Sequence, residues 1–136
     1  MSGMSESLVQ NAAIEWLKSL GYTHQQGNSL QRDLKKVELE AELRPFLQQT
    51  YPELPTSALQ EAITLFTQQE GMDLDHRNRD FHRKLTQGVS ISWKDAQDQE
   101  YARHVYPINY EQPEANSFIC TDEVTIIGTN TRRTDL

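Results

Sequence analysis

The sequence has one cysteine, an excess of acid over base and no long apolar run. Cys120 excludes an intrachain disulfide, and its isolation fits no zinc-site spacing, so a reduced cytoplasmic compartment is expected. No stretch approaches the roughly 18 apolar residues that a membrane helix needs. The opening MSGMSESLVQ lacks the basic and apolar regions of a signal peptide. Secreted, disulfide-stabilised and membrane-spanning classes are therefore disfavoured.

The charge balance argues against strong, autonomous binding to nucleic acid. The chain has 13 Lys and Arg residues against 20 Asp and Glu residues, a net charge of −7. Non-specific DNA binding needs a positive field that displaces counterions from phosphates. One stretch departs from this balance, the locally basic RNRDFHRK of residues 77–84. It is either the solvated face of a helix or a contact to nucleic-acid phosphate within a larger assembly.

Length and composition predict one domain with a modest core. A chain of 136 residues can bury roughly two-thirds of the surface of its unfolded form, so a core is possible. Its mean hydropathy of −0.73 is polar for a complete domain, which indicates a small core or a domain cut short. We predict a single domain over residues 1–136, helical over about 5–87 and rich in strands over about 89–136.

The first helix is predicted over SESLVQNAAIEWLKSLGY. Ser5 is a good N-cap, Glu6 suits the positive end of the helix dipole, and Gly21 ends the helix. Helical spacing predicts one apolar face made of Val9, Ala13, Trp16, Leu17 and Leu20.

Three more helices are predicted before residue 89. In the second helix, Pro45 predicts a kink or break near Arg44. In the third, Ser57 and Gln60 have the spacing of a capping box, and the fourth stops at Gly88. The predicted apolar faces are Leu39, Leu43, Phe46 and Leu47; then Leu59, Ala62, Ile63 and Phe66; then Leu74, Asn78, Phe81 and Leu85.

Strands are predicted after Gly88 and for a short piece after the first helix. VSISW and part of EYARHVYPI alternate apolar and polar residues on either side of the polar turn KDAQDQ, which predicts a hairpin. SFICTDEVTIIG is a further strand region, with a bulge expected near Asp122. Helices followed by strands indicate an α/β fold of the α+β-like kind with a mixed sheet.

Most candidate sites fail on spacing. The four histidines, His24, His76, His82 and His104, include no i, i+4 pair and suggest no metal centre. DLDHRNRD begins like a calcium loop but has Arg77 at the third ligand position. The chain has neither a phosphate-binding loop nor a nucleophile elbow. Glu6 and Asp135 remain, and neither is diagnostic by itself.

Taken together, four segments resemble one family over nearly the whole chain, from about Ser5 to Leu136. They are SESLVQNAAIEWLKSLGY, ELRPFLQQTYPELPTSALQEAITLF, DHRNRDFHRKLTQGVSISW and NYEQPEANSFICTDEVTIIGTNTRRTDL. These are similar to the N-terminal region of the R (HsdR-type) subunit of type I restriction enzymes. The resemblance implies a PD-(D/E)xK nuclease domain with a restriction-endonuclease-like fold.

The resemblance also implies site residues, a metal and partners. The match Arg-Arg-Thr-Asp places Asp135 on the family's Mg²⁺-binding, catalytic aspartate. Glu6 matches a helix carboxylate near the site, with Glu15 as a weaker alternative. Clustered carboxylates hold Mg²⁺ at the scissile phosphate, where it activates water and offsets charge. The complete enzyme is expected to use ATP through other domains, and to act on DNA with methyltransferase and specificity subunits.

This sequence departs from the family pattern after Asp135, because the expected Glu-x-Lys strand is absent. We therefore interpret the chain as the front of an R subunit, cut inside its nuclease core and inactive by itself. The alternative is a truncated, non-catalytic module that binds subunits of a restriction complex through its helical cluster, residues 34–66.

Overall fold

The structure is a computed structural model that describes residues 5–30, 33–36 and 38–133. Within those ranges, four helices and six short strands form, together with 3₁₀ turns at Gly27–Ser29 and Pro113–Ala115. In chain order the helices and strands are α1 (Glu6–Ser19), β1 (Thr23–Gln26), α2 (Glu40–Thr50), α3 (Thr56–Thr67), α4 (Leu74–Gln87), β2 (Val89–Lys94), β3 (Glu100–Val105), β4 (Ile119–Asp122), β5 (Thr125–Ile127) and β6 (Thr131–Arg133).

The chain folds as two compact units, residues 1–39 with 117–136, and residues 40–116. In the first unit, β1 pairs in parallel with β4, and β5 pairs antiparallel with β6. Ile14 of α1 and Cys120 of β4 are its buried apolar side chains among the described residues. The earlier expectation of a single domain over residues 1–136 stays a prediction.

The second unit holds the larger core. The hairpin β2–β3 pairs antiparallel from Val89 with Val105 to Lys94 with Glu100, and its inner face packs on α3. This follows from the alternating sequence, since every second residue of a strand points to the same face. The core residues are Leu47, Tyr51, Ala58, Leu59, Ala62, Ile63, Phe66, Val89, Ile91 and Val105.

The helix ends predicted for α1 and for the C-terminus of α4 are confirmed. The Ser5 hydroxyl accepts the Leu8 N–H at the start of α1, and Gly21 follows its end with a φ of 98°. Gly88 ends α4 with a φ of 69° and a ψ of −169°, a backbone region that only glycine adopts easily. At this position an added Cβ would lie 2.5 Å from the Val105 carbonyl oxygen.

In α2 the predicted break does not occur and the predicted kink stays a prediction, while the capping box predicted for α3 is wrong. The α2 helix is not broken near Arg44, because it continues through Pro45. One missing backbone hydrogen bond is tolerated there, since the neighbouring Leu47 is fully buried. The capping box does not form either, because α3 begins at Thr56 and places Ser57 inside its first turn. Gln60 instead accepts a hydrogen bond from Arg44 at 2.7 Å.

The apolar faces of α1 and α4 are only partly covered within the described residues. Trp16 and Leu20 of α1 are 68% and 62% exposed, and Val9 is 51% exposed. Leu74 and Phe81 of α4 are also exposed. By contrast, the predicted face of α3 is wholly buried. Helical periodicity therefore identified the buried face of α3 but not that of α1 or α4, whose buried side chains are Ile14 and Lys84.

The α/β fold class expected from sequence is confirmed. Among the described residues, four helices combine with one parallel and two antiparallel two-stranded sheets. The predicted hairpin occurs. Near Asp122, where a bulge was expected, the region instead divides into β4 and β5, which belong to different sheets. Glu123 has a φ of 51° where β4 ends and before β5 begins. Among the described residues, no helix is long and apolar enough to cross a membrane.

Candidate functional site

Glu6, the helix carboxylate proposed from sequence, lies in the first turn of α1. It is exposed to solvent. The weaker alternative, Glu15, is also exposed and pairs with Lys18 at 3.2 Å. Nine residues separate the two carboxylates, and at about 100° per residue they point from opposite sides of the helix. The two glutamates therefore cannot serve one site together.

Asp135 lies outside the described residues, so its surroundings stay a prediction. The described chain leads to it through the hairpin β5–β6, in which Thr125 pairs with Arg133. This hairpin is tied to the rest of its unit where the Ile127 N–H donates to the Leu34 carbonyl oxygen at 2.8 Å.

A polar corner forms in the first unit where the parallel strands β1 and β4 end. The Asp122 carboxylate accepts the Gly27 N–H at 3.3 Å and lies 3.4 Å from His24 Nε2. Both side chains are 18% exposed. Space allows only glycine at position 27, since an added Cβ would lie 2.2 Å from the Asp122 carbonyl oxygen. The corner is a packed turn with one carboxylate and one imidazole.

A magnesium site needs several oxygen ligands in a fixed geometry. In the part of the chain that the structure describes, no group of three or more His, Cys, Asp or Glu residues is placed to hold a metal ion. The described residues alone therefore do not make the metal centre that the sequence resemblance implies.

The second unit contains a buried charged network that the sequence analysis did not identify. Lys84 is only 5% exposed, and its ammonium group donates to the carbonyl oxygens of Leu65 and Gln68 at 2.8 and 3.1 Å. Its third partner is the Asp80 carboxylate at 2.9 Å. Because all three donors are satisfied, Lys84 anchors α4 to the C-terminal end of α3 and has no donor left for a ligand.

Asp80 is held ionised by its neighbours. The Glu70 N–H donates to its carboxylate at 3.0 Å, and Lys84 and Arg83 add charged hydrogen bonds. These contacts, the Glu70 N–H first, hold the pKa of Asp80 far below its usual range. The signal visible in sequence was the i, i+4 spacing of Asp80 and Lys84. The carbonyl oxygens that make Lys84 a buried anchor come from a different helix.

An open cleft of about 650 Å³ lies in the second unit beside β3. The Arg103 guanidinium lies 5.2 Å from the centre of the Tyr51 ring and pairs with Glu53 at 3.3 Å. The Tyr51 hydroxyl accepts the Tyr106 N–H at 2.9 Å, which joins α2 to the end of the hairpin. Tyr110 lines another part of the cleft, and its hydroxyl donates to the Leu85 carbonyl oxygen. Residues 55 positions apart meet here, and nothing in the sequence indicated this.

His104 is fixed by contacts to both ring nitrogens. Its Nε2 lies against the Gln87 carbonyl oxygen, so that nitrogen carries a proton. Its Nδ1 lies 3.2 Å from the Ser90 hydroxyl, which can donate to it. The imidazole of His104 thus links the end of α4 to both strands of the hairpin. Its contacts are those of a structural histidine.

The comparison with protein families covers almost the whole chain. The family described as Type I restriction enzyme R protein N terminus matches residues 3–136. This chain belongs to that family. The sequence resemblance noted above is therefore confirmed at the level of the family.

A relative supports the same assignment. The chain is similar to the type I restriction enzyme HindI endonuclease subunit of Haemophilus influenzae, with 24% identity over 131 residues. The match covers 90% of this chain but 12% of that subunit. No solved structure matches the chain. The family domain thus corresponds to a small part of the relative.

Proposed function

We propose that this chain is the front of the nuclease domain of a type I restriction R subunit, and that Asp135 supplies one carboxylate to its Mg²⁺ site. The observation that carries the proposal is the family match over residues 3–136, which includes the Arg-Arg-Thr-Asp segment. The hairpin β5–β6 brings the chain to that segment. Bound Mg²⁺ would supply Lewis acidity and an activated water.

The proposal assigns unequal roles to the two carboxylates named from sequence. Asp135 is the proposed metal ligand and catalytic residue. Glu6 is proposed only as a nearby helix carboxylate, since it lies exposed in the first turn of α1. The second ligand and the lysine would come from a Glu-x-Lys strand, a pattern that these 136 residues do not contain. The 136-residue polypeptide is therefore expected not to cut DNA.

The partners in this proposal are DNA and the methyltransferase and specificity subunits. ATP-driven translocation is proposed for other domains of the longer protein. Support comes from the family and from the HindI relative, whose printed name is that of an endonuclease subunit.

The binding-module alternative relied on contacts from the helical cluster, residues 34–66. Its large apolar side chains Leu47, Leu59, Ile63 and Phe66 lie inside the core of the second unit. The cluster therefore has mainly polar side chains to offer a partner, which favours the nuclease-domain proposal.

The decisive test begins with the source DNA beyond the codon for Leu136. If the frame continues into Glu-x-Lys, the longer polypeptide is expected to nick plasmid DNA with Mg²⁺. Asp135→Ala should abolish nicking, while Asp75→Ala, which removes an exposed carboxylate from α4, should not. The 136-residue chain should give no nicked or linear product. Robust nicking by this short chain that vanishes in Asp135→Ala would overturn the proposed division of the site.

A further inference from the structure

Four of the 13 Lys and Arg residues of this acidic protein lie on one helix, α4. The chain has a net charge of −7, yet α4 carries Arg77, Arg79, Arg83 and Lys84 against Asp75 and Asp80. Lys84 is buried and committed to α3, so it does not contribute to the surface. The three arginines are all exposed.

One ridge of α4 presents two of these arginines and a histidine to solvent. His76, Arg79 and Arg83 follow each other at i, i+3 and i+7, and we call them the α4 ridge. The side chains of His76 and Arg83 are 53% and 58% exposed. The Lys84 anchor fixes the rotation of the helix, and Arg79 lies about 140° around it from Lys84. The ridge is therefore held outward by the packing of the fold.

Carboxylates pair with two members of the ridge, His76 and Arg83. Asp75 lies one turn before Arg79 but forms no ion pair with it. Asp73 caps the helix by accepting the His76 N–H at 2.9 Å, and its carboxylate also lies 2.7 Å from His76 Nδ1, so the imidazole is engaged within the fold. Asp80 is shared among the Glu70 N–H, Lys84 and Arg83. Arg79 forms no hydrogen bond or ion pair with any described residue. Among the described residues, the Arg79 guanidinium therefore has all its donors free for a ligand. The Arg83 guanidinium uses one donor for Asp80 and keeps the others free.

We propose that the α4 ridge contacts the phosphate backbone of nucleic acid. Guanidinium groups present a planar fork of donors that matches phosphate oxygens. Arg79 and Arg83 lie one helical turn apart, about 6 Å along the axis, so the two guanidinium groups can contact two neighbouring phosphates of one DNA strand. The contact carries no sequence information by itself and positions the duplex.

An acidic polypeptide is the other polyanion to consider. Protein interfaces generally bury an apolar centre within a polar rim. The neighbours of the ridge on the outer side of α4 are Asp75, His82 and Thr86, which are polar and exposed. A polar ridge without an apolar centre favours phosphate over protein as its partner.

The inference goes beyond the proposed metal site and rests on the proposed function only for the choice of DNA as probe. The test is a titration of the isotopically labelled 136-residue chain with a short mixed-sequence DNA duplex, at low salt and without Mg²⁺. Amide shifts are expected to cluster at residues 76–83. The logarithm of the binding constant should fall against the logarithm of salt concentration with a slope of about −2, for two phosphate contacts.

Paired variants separate the ridge from general charge. Arg79→Gln with Arg83→Gln should lower the affinity at least tenfold and remove most of the salt slope. Arg79→Gln alone, which breaks no contact within the fold, should reduce the slope by about 1. Lys18→Gln with Lys94→Gln removes the same charge elsewhere and should leave the α4 shifts in place.

Three results would overturn the inference: DNA-induced shifts that lie away from α4, equal loss of binding in the lysine control, or polyglutamate that perturbs the ridge while DNA does not. The last result would assign the ridge to an acidic polypeptide instead. Asp135→Ala is expected to bind DNA like the unchanged chain. Failure of the nuclease proposal and failure of this one are therefore separate outcomes.

Discussion

The Lys84 ammonium lies 2.9 Å from the Asp80 carboxylate, one turn apart on α4 and largely out of solvent. The same ammonium donates to the carbonyl oxygens of Leu65, in the last turn of α3, and of Gln68, just after it. Charged hydrogen bonds of this kind are stronger than neutral ones. The pair therefore couples the placement of two helices to the ionisation of one carboxylate.

Asp80→Asn should destabilise the second unit by about 2 kcal/mol, because it removes the charged partner of a buried lysine and weakens the acceptor of the Glu70 N–H. Urea denaturation followed by circular dichroism measures the change. Asp98→Asn, in the exposed turn of the hairpin, is the matched control and should change stability little. An unaltered midpoint for Asp80→Asn would show that Lys84 is held by the carbonyl oxygens alone.

Stability should fall as the solution is acidified. Asp80, held by the Glu70 N–H and then by Lys84 and Arg83, has a folded-state pKa below its usual value of 3.8. The pKa of Asp73 is also lowered, first by the hydrogen bond from the His76 backbone N–H and then by the bond to the His76 side chain. Below the unfolded pKa, the unfolded chain binds more protons than the folded chain. The free energy of unfolding should therefore be steady above about pH 5 and decrease below it.

Denaturation curves between about pH 3 and 7 measure this dependence. Asp80→Asn should show a shallower decrease than the unchanged chain, since it lacks the more strongly shifted group. Identical profiles for the two proteins would mean that other carboxylates cause the acid sensitivity.

Leu47→Ala should cost roughly 3 kcal/mol of unfolding free energy, because Leu47 is fully buried and its loss leaves a cavity in the core. Leu74→Ala makes the same chemical change at a side chain that is 68% exposed. That control is expected to stay within about 0.5 kcal/mol of the unchanged chain. Equal effects would contradict the assignment of the core to the second unit.

Gly88→Ala should destabilise the protein by roughly 1 to 3 kcal/mol, the cost of forcing a side chain into a glycine-only backbone region. A close approach adds to this cost, since the new Cβ would lie 2.5 Å from the Val105 carbonyl oxygen. Gly128→Ala is the matched control, because its nearest neighbour would be 3.9 Å away. Thermal denaturation of both variants compares the two positions, and a neutral Gly88→Ala would refute the close α4–β2 turn.

The sequence predicted helix ends correctly where a few adjacent residues decide them. Ser5 and Gly88 mark helix ends in the sequence because capping and a positive φ depend on a few adjacent residues. The capping box at Ser57 failed because α3 begins two residues earlier than the pattern suggested, with Pro55 as its N-cap. Pro45 did not break α2, since packing of the surrounding leucines outweighed one lost hydrogen bond.

Among the candidate sites too, a motif of adjacent residues could be found from sequence, whereas a cleft built from distant segments could not. Asp135 was named through a family pattern in adjacent residues, and the family match supports that pattern while its geometry lies outside the described residues. The cleft around Tyr51, Arg103 and Tyr106 had no sequence signal, because its walls come from segments about 50 residues apart. Such contacts arise only when α2 and the hairpin pack together.

By itself, the sequence determined the family, the fold class, the helix-then-strand order and the apolar face of α3, because each depends on local composition, periodicity or motif. Tertiary structure decided which apolar faces were covered, and it made Lys84 a buried anchor while Arg79 stayed in solvent. The physical reason is that burial and charge pairing depend on contacts between distant segments. An i, i+4 pattern gives the neighbours along a helix, and only the packing of α4 on α3 determines which of them lose water.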